Sequence, residues 1–331
     1  MKTKDLIELL KQNEEDCHTT AINLSGTRLK SDTLQTSISF DGRSYLLRQS
    51  EDQPNNPKVL HAHKQLCKAC KVPFAFYKTH LGNSRETVVN GWLSSADPAD
   101  DNSIYTLGYR LGVECNVVRY LVPLKSQMID IEDALNTLQA AGITEADFVL
   151  GEERDSPVTH LRFRVSETFK LEDTDFHTGI SITYSSVDAV DVQCDVYLMD
   201  EESQTYLYCS FAGFPYFQAK PTKFQPKDFA GILLGAVAQA KDLATYAHTC
   251  VNEEFSNFSD SLNHAVRSGA IPKALYSPLY REMASAEIEN MLDFSKHICL
   301  VAKDKELPKR IQLERIAGSL AGFILSANKE E

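Results

Sequence analysis

No stretch of this sequence is apolar for the roughly 20 residues that a bilayer-spanning helix requires. The longest apolar run, Phe229 to Ala240, is interrupted by Gly231, Gly235 and Gln239. The first residues, Met1-Lys-Thr-Lys-Asp-Leu-Ile-Glu-Leu-Leu10, read as an amphipathic helix start without the apolar core of a signal peptide. Also missing are the Gly-x4-Gly-Lys-[Ser/Thr] phosphate loop, Gly-x-Gly-x-x-Gly, the Gly-x-Ser-x-Gly elbow and His-Glu-x-x-His. Nucleotide hydrolysis, dinucleotide redox chemistry and serine hydrolysis lose their main support with them. The eight cysteines are scattered through expected helices and strands, too thinly for a secreted disulfide framework. A cytoplasmic protein with reduced thiols and no membrane partner is the expectation.

What is present is ordinary globular composition. The 331 residues are 43% hydrophobic and 24% charged, which excludes wholesale disorder and suggests about two domains. The net charge of −12 is unevenly spread: +1 over residues 1–100, −11 over 101–200 and −2 over 201–331.

The periodicity predicts an α+β fold: an antiparallel sheet with flanking helices, followed by an all-helical C-terminal part, with a boundary near 225. Helices are expected over 4–16, 58–70 and 131–141, the last with Gly142 just past its end. Strands are expected over 21–24, 36–40, 44–48, 116–121 and 158–165, with Asp41-Gly42 as a hairpin turn. Residues 189–211 read as a hairpin turning at 200–204, with one apolar and one wet face. After Pro226 apolar residues recur at helical spacing, and further helices fit 279–301 and 306–327.

Lys64–His80, Thr87–Leu93, Tyr109–Leu121, Ile129–Leu135 and Phe176–Ile182 follow one another in a recognisable order. Over about 58–212 the chain resembles a phage/plasmid-like protein family of unknown function. The resemblance implies a bacterial mobile-element or phage setting, hence the cytoplasm of a bacterial host cell, and supplies no catalytic residues.

Four groups of side chains could carry chemistry. Residues 58–78 hold five lysines and no acid, and Lys64, Lys68 and Lys71 share a helical stripe suited either to an anion or to solvent. Residues 203–227 hold Lys220, Lys223 and Lys227 among seven aromatics that include Tyr216, Phe217 and Phe224. Cations that track phosphates beside rings that stack on bases are the chemistry of single-strand binding. Arg162 and Arg164 on one strand face could extend such a surface or pair with acids. His63, Cys67 and Cys70 fall on one helical stripe, readable as core packing or as part of a zinc site. Asp188, Asp191 and Asp195 are readable as a wet sheet face or as a Mg²⁺ site.

The expected function is therefore non-catalytic: a phage or plasmid protein that binds single-stranded nucleic acid in replication or recombination, with strand annealing as an extension. It would use the lysines, arginines and aromatics named above, without a cofactor or metal. Gly318-x3-Gly322 would allow close helix approach in a homo-oligomer. The alternative is an interaction module that binds or inhibits a host protein through a decoy-like acidic face. The third reading is a metal-dependent nuclease.

Overall fold

The computed structural model describes residues 1–15, 17–31, 35–47, 57–112, 116–125, 131–150, 158–171, 173–185, 191–210, 215–220, 226–250, 257–269 and 271–322. The fold is α+β with antiparallel-rich sheets and a helical C-terminus. It is organised around two sheets, each with its own main hydrophobic core.

The chain begins with α1 (Thr3–Glu15) and then builds the first sheet. Its strands are β1 (Cys17–Asn23), β2 (Arg28–Ser31), β3 (Thr36–Phe40) and β4 (Arg43–Leu47). The helices α2 (Pro57–Ala69), α3 (Phe74–Thr79) and α4 (Asn83–Ser95) intervene before β5 (Ile104–Arg110) and β6 (Asn116–Pro123). The spatial order is β1-β5-β6-β4-β3-β2, with β4 and β6 parallel and every other pair antiparallel. Asp41 and Gly42 form the two-residue turn of the β3–β4 hairpin, both at positive φ (48° and 72°). That backbone twist is the one a two-residue hairpin selects.

One face of this sheet is closed. Leu29, Ile38, Tyr45, Leu107 and Leu121 pack with Leu66 of α2 and with Val89 and Leu93 of α4. The edge strand β2 is capped by a side chain that imitates a further strand. Asn90 Oδ1 accepts the Leu29 N–H at 2.7 Å, and Asn90 Nδ2 donates to the Leu29 carbonyl at 2.9 Å. Satisfying an edge in this way removes a template for mispairing. The other face stays open: Arg28, Lys30, Ser44, Thr19 and Ala21 are exposed.

The second sheet follows α5 (Ile131–Ala140), which ends at Gly142 with φ 89°. Its strands are β7 (Ala146–Leu150), β8 (Thr159–Arg164), β9 (Phe169–Leu171), β10 (Thr174–Tyr184), β11 (Val192–Asp200), β12 (Thr205–Cys209) and β13 (Phe217–Ala219). The order is β12-β11-β10-β8-β7, with β13 also on β11 and β9 also on β10. Five helices complete the described chain: α6 (Pro226–Cys250), α7 (Phe258–Arg267), α8 (Tyr276–Met283), α9 (Met291–Ala302) and α10 (Leu307–Leu320). The single helix expected over 279–301 is two helices, because Asn290 starts a new one by accepting the Asp293 N–H at 2.8 Å.

Both faces of this sheet are buried, which corrects the expected wet face. On one side Ile180, Ile182, Val196 and Leu198 share a core with Leu233, Val237, Ala240 and Leu243 of α6. The Thr178 hydroxyl donates to the Ala240 carbonyl at 2.7 Å. The opposite side carries His160, Arg162, Ser181, Asp195 and Tyr208, each essentially inaccessible. Helices α9 and α10 seal the edge strand β12. The Cys299 thiol donates to the Tyr206 carbonyl, and Gly318 lies against the Tyr208 backbone.

The helices after 226 therefore share the second sheet's core, and a boundary near 225 separates no two cores. The cores divide instead between β6 and α5. The helix α1 belongs to the second core, where Leu6 and Leu10 pack with Ile131, Leu135 and Leu138. Its start pairs with the approach to β7: the Met1 amino group donates to the Ala146 carbonyl, and the Thr3 N–H to Thr144. The six-stranded unit is an insertion between α1 and α5. Among the described residues, no helix is long and apolar enough to cross a membrane.

Candidate nucleic-acid interface

Between α2 and the strands β5 and β6 lies a cleft of about 220 Å³, lined in part by His61, Lys64, Gln65, Lys68, Tyr105 and Pro123. Two polar side chains fix α2 above the sheet and so set its walls. Gln65 Oε1 accepts the Leu121 N–H at 2.9 Å, and His61 Nε2 meets the Arg119 carbonyl. Lys64 and Lys68 stand exposed on the α2 wall, and Lys64 Nζ lies 5.7 Å from the centre of the Phe74 ring. Burial raises the Tyr105 hydroxyl above its ordinary pKa, so this ring is neutral at physiological pH. Lys71 is also exposed, in the left-handed region (φ 55°) just past the end of α2. Neither α2 nor α3 carries an Asp or Glu, and none of the strands β1 to β6 does.

The remaining basic candidates are distributed differently. Arg162 is wholly buried, which removes it from any surface. Its Nη2 donates to Glu314 Oε2 and its Nε to the Tyr208 hydroxyl, both at 2.8 Å, while its guanidinium lies 3.7 Å from the Tyr206 ring centre. Arg164 is partly exposed but committed to Glu201 at 3.2 Å and to the Ser166 carbonyl. Lys220 is exposed. Lys223 and Phe224 lie outside the described residues, and so does the side chain of Lys227.

Among the described residues, the aromatics of this group fill joints. The Tyr216 hydroxyl lies close over Gly235 of α6, and the Phe217 and Phe229 rings are 6.3 Å apart. Tyr206 and Tyr208 are buried around Arg162.

Neither metal alternative is assembled among the described residues. His63 is buried with Nδ1 2.7 Å from the Tyr77 hydroxyl, and burial pushes the Cys67 and Cys70 thiols up to about 12. Protonated thiols are poor ligands. Asp195 is held by both forks of Arg315, at 2.9 and 2.7 Å, while Asp191 accepts from Gln218 at 2.9 Å. Asp188 lies outside the described residues. Among the described residues no group of three or more His, Cys, Asp or Glu side chains converges as a metal site.

The acidic decoy face loses members for the same reason. Asp195 and Asp200 are buried, Asp200 accepts the backbone N–H groups of Glu202 and Ser203, and Glu201 meets His177 and Arg164. Those partners hold the Glu201 carboxyl below its usual pKa against a desolvation that acts the other way. Gly318 does not offer a surface for a second copy. A Cβ there would stand 2.0 Å from the Tyr208 carbonyl oxygen.

Sequence reasoning missed Arg28, Lys30, Arg110 and Tyr120, which lie on the open face of the first sheet. The near-neutral total over residues 1–100 concealed Arg28 and Lys30, and the −11 over residues 101–200 concealed Arg110. No family model matches the chain, and no curated protein or solved structure matches it either.

Proposed function

We propose that this protein is a non-catalytic binder of single-stranded nucleic acid, and that the inserted six-stranded unit holds the strand. One observation carries the reading: the cleft beneath α2 sets Lys64 and Lys68 opposite Tyr105, in a unit whose strands and first two helices lack carboxylates. The ammonium groups supply phosphate contacts, and the ring gives a base a face to stack on. The phage or plasmid setting, with a role in replication or recombination, rests on the resemblance over 58–212 alone.

The test is titration of the full chain with a labelled single-stranded oligonucleotide at two salt concentrations. Binding weakens with salt, and replacing Lys64 and Lys68 together with Ala lowers the slope of log K against log salt by about 1.4, at about 0.7 per lost contact. Absence of binding at low salt removes the reading.

A further inference from the structure

Among the described residues, the first sheet has one blocked edge and one open edge. On β2, Asn90 holds both backbone groups of Leu29, and Glu86 Oε1 accepts the Ser31 N–H at 2.5 Å. Arg28 and Lys30 add charge to the same edge. Strand β1, at the other end of the sheet, has none of these devices. Its seven residues, Cys-His-Thr-Thr-Ala-Ile-Asn, include no Lys, Arg, Asp, Glu, Pro or Gly. They pair with β5 in unbroken register, from Cys17 opposite Arg110 to Asn23 opposite Ile104.

An edge strand turns a row of backbone N–H and C=O groups away from its neighbour, and unpaired they are a template for a further strand. On β1 little reaches them. The Cys17 thiol lies 4.0 Å from the His18 carbonyl, and the Asn23 carbonyl takes the Thr27 hydroxyl at 2.9 Å. From Thr19 to Ile22 the backbone bonds only within the ladder to β5. His18, Thr19 and Ala21 are exposed.

We infer that β1 is a dimer interface, at which the β1 strands of two copies of this chain pair antiparallel and join their sheets into one. The sequence of the strand selects a second copy as the occupant. Paired residues of an antiparallel ladder share a sheet face, so a two-fold axis relating two identical strands passes through a residue. With 17–23 fully overlapped, that residue is Thr20. Thr20 then meets the partner's Thr20, Thr19 meets Ala21, His18 meets Ile22, and Cys17 meets Asn23. No pair opposes like charges, and a threonine pair is a favourable cross-strand contact. The same operation on β2, centred on Leu29, would set Arg28 against Lys30, an opposition that disfavours pairing. The axis stands perpendicular to the joined sheet, so α2 and α4 of both copies lie on one side of it. The dimer holds whatever the cleft beneath α2 binds.

Sedimentation equilibrium of the full chain tests the interface, with circular dichroism to show each variant folded. The parent should be dimeric at concentrations up to about 100 μM. Thr19→Lys with Ala21→Lys changes two exposed side chains and sets like charges face to face in two pairs, so it should weaken the dimer about 10-fold or more. Thr19→Lys with Ala21→Glu sets opposite charges in the same two pairs and should restore it. In a Cys17→Ser background, Thr20→Cys should give a disulfide-linked dimer on oxidation, because directly paired residues have the Cα separation a disulfide needs.

A parent that stays monomeric throughout overturns the inference. So does a dimer that ignores the two lysine changes, which then forms elsewhere on the chain. Equal weakening by the Lys/Lys and Lys/Glu variants shows that β1 does not pair with itself, and overturns the inference too.

Discussion

Arg162 of β8 and Glu314 of α10 are 152 residues apart in sequence and 2.8 Å apart in space, with side chains 0% and 1% exposed. Glu314 also accepts from Arg310 at 2.8 Å, and the neighbouring Arg315 grips Asp195. The helix α10 is thus fastened across the polar face of the second sheet by two buried ion pairs.

Breaking one partner strands a buried charge, which costs about 3–5 kcal/mol. Urea unfolding of Arg162→Ala or Glu314→Ala should show a loss of that order. The joint change Arg162→Met with Glu314→Leu should recover most of it, because the desolvation of both charges disappears together. A double variant no more stable than either single alanine would contradict this.

His160 gives the same face a pH dependence. Burial, together with the charges of Arg162, Arg310 and Arg315, holds its pKa well below the ordinary value near 6.5. The folded protein keeps it neutral, while the unfolded chain takes up a proton below about pH 6.5. Stability from this group is complete above that value and falls as pH drops towards the folded pKa, by about 1.4 kcal/mol per pH unit. Unfolding midpoints at pH 7.5 and 5.5 should differ less in His160→Gln than in the parent.

Lys71 separates stability from binding. It occupies the left-handed position after α2, where the Val72 N–H donates to the Cys67 carbonyl at 2.9 Å. A non-glycine residue there costs about 1 kcal/mol. Lys71→Gly should raise the unfolding free energy by that amount and lower the salt slope of oligonucleotide binding by about 0.7. Equal salt slopes in parent and variant would place Lys71 outside the interface.

Gly318 is a point of backbone contact between α10 and β12. Gly318→Ala should cost about 1–3 kcal/mol, as overpacking does, because the new methyl meets the Tyr208 carbonyl. Thermal melting checks it, and an unchanged midpoint would mean that α10 lies farther from β12.

Local features were readable in the residues themselves. The Asp41-Gly42 hairpin, the stop at Gly142 and the β11–β12 hairpin all follow from turn chemistry and alternation. The second sheet's polar face was not readable. His160, Arg162 and Asp195 alternate as solvated residues do, and the ion-pair partners of Arg162 and Asp195 lie 152 and 120 residues later. One signal was available: Glu314 and Arg315 sit among Ile311, Leu313, Ile316 and Ala317, where charges on a helix apolar around most of its circumference must be internal. The site divided in the same way. Lys64 and Lys68 are surface residues on one helix and were found from spacing, whereas Tyr105 joins them only because β5 runs beneath α2.

The insertion of one unit inside the other also sets an order of events on the ribosome. At about 5–20 residues per second, α1 leaves on the order of 6–25 s before α5, the helix its Leu6 and Leu10 face, has been made. The six-stranded unit is fully synthesised in that interval and can close its own core first. The N-terminal helix waits as an uncovered apolar stripe. Arg162 waits longer still, because the carboxylate that neutralises it is among the last groups of the described chain to be synthesised.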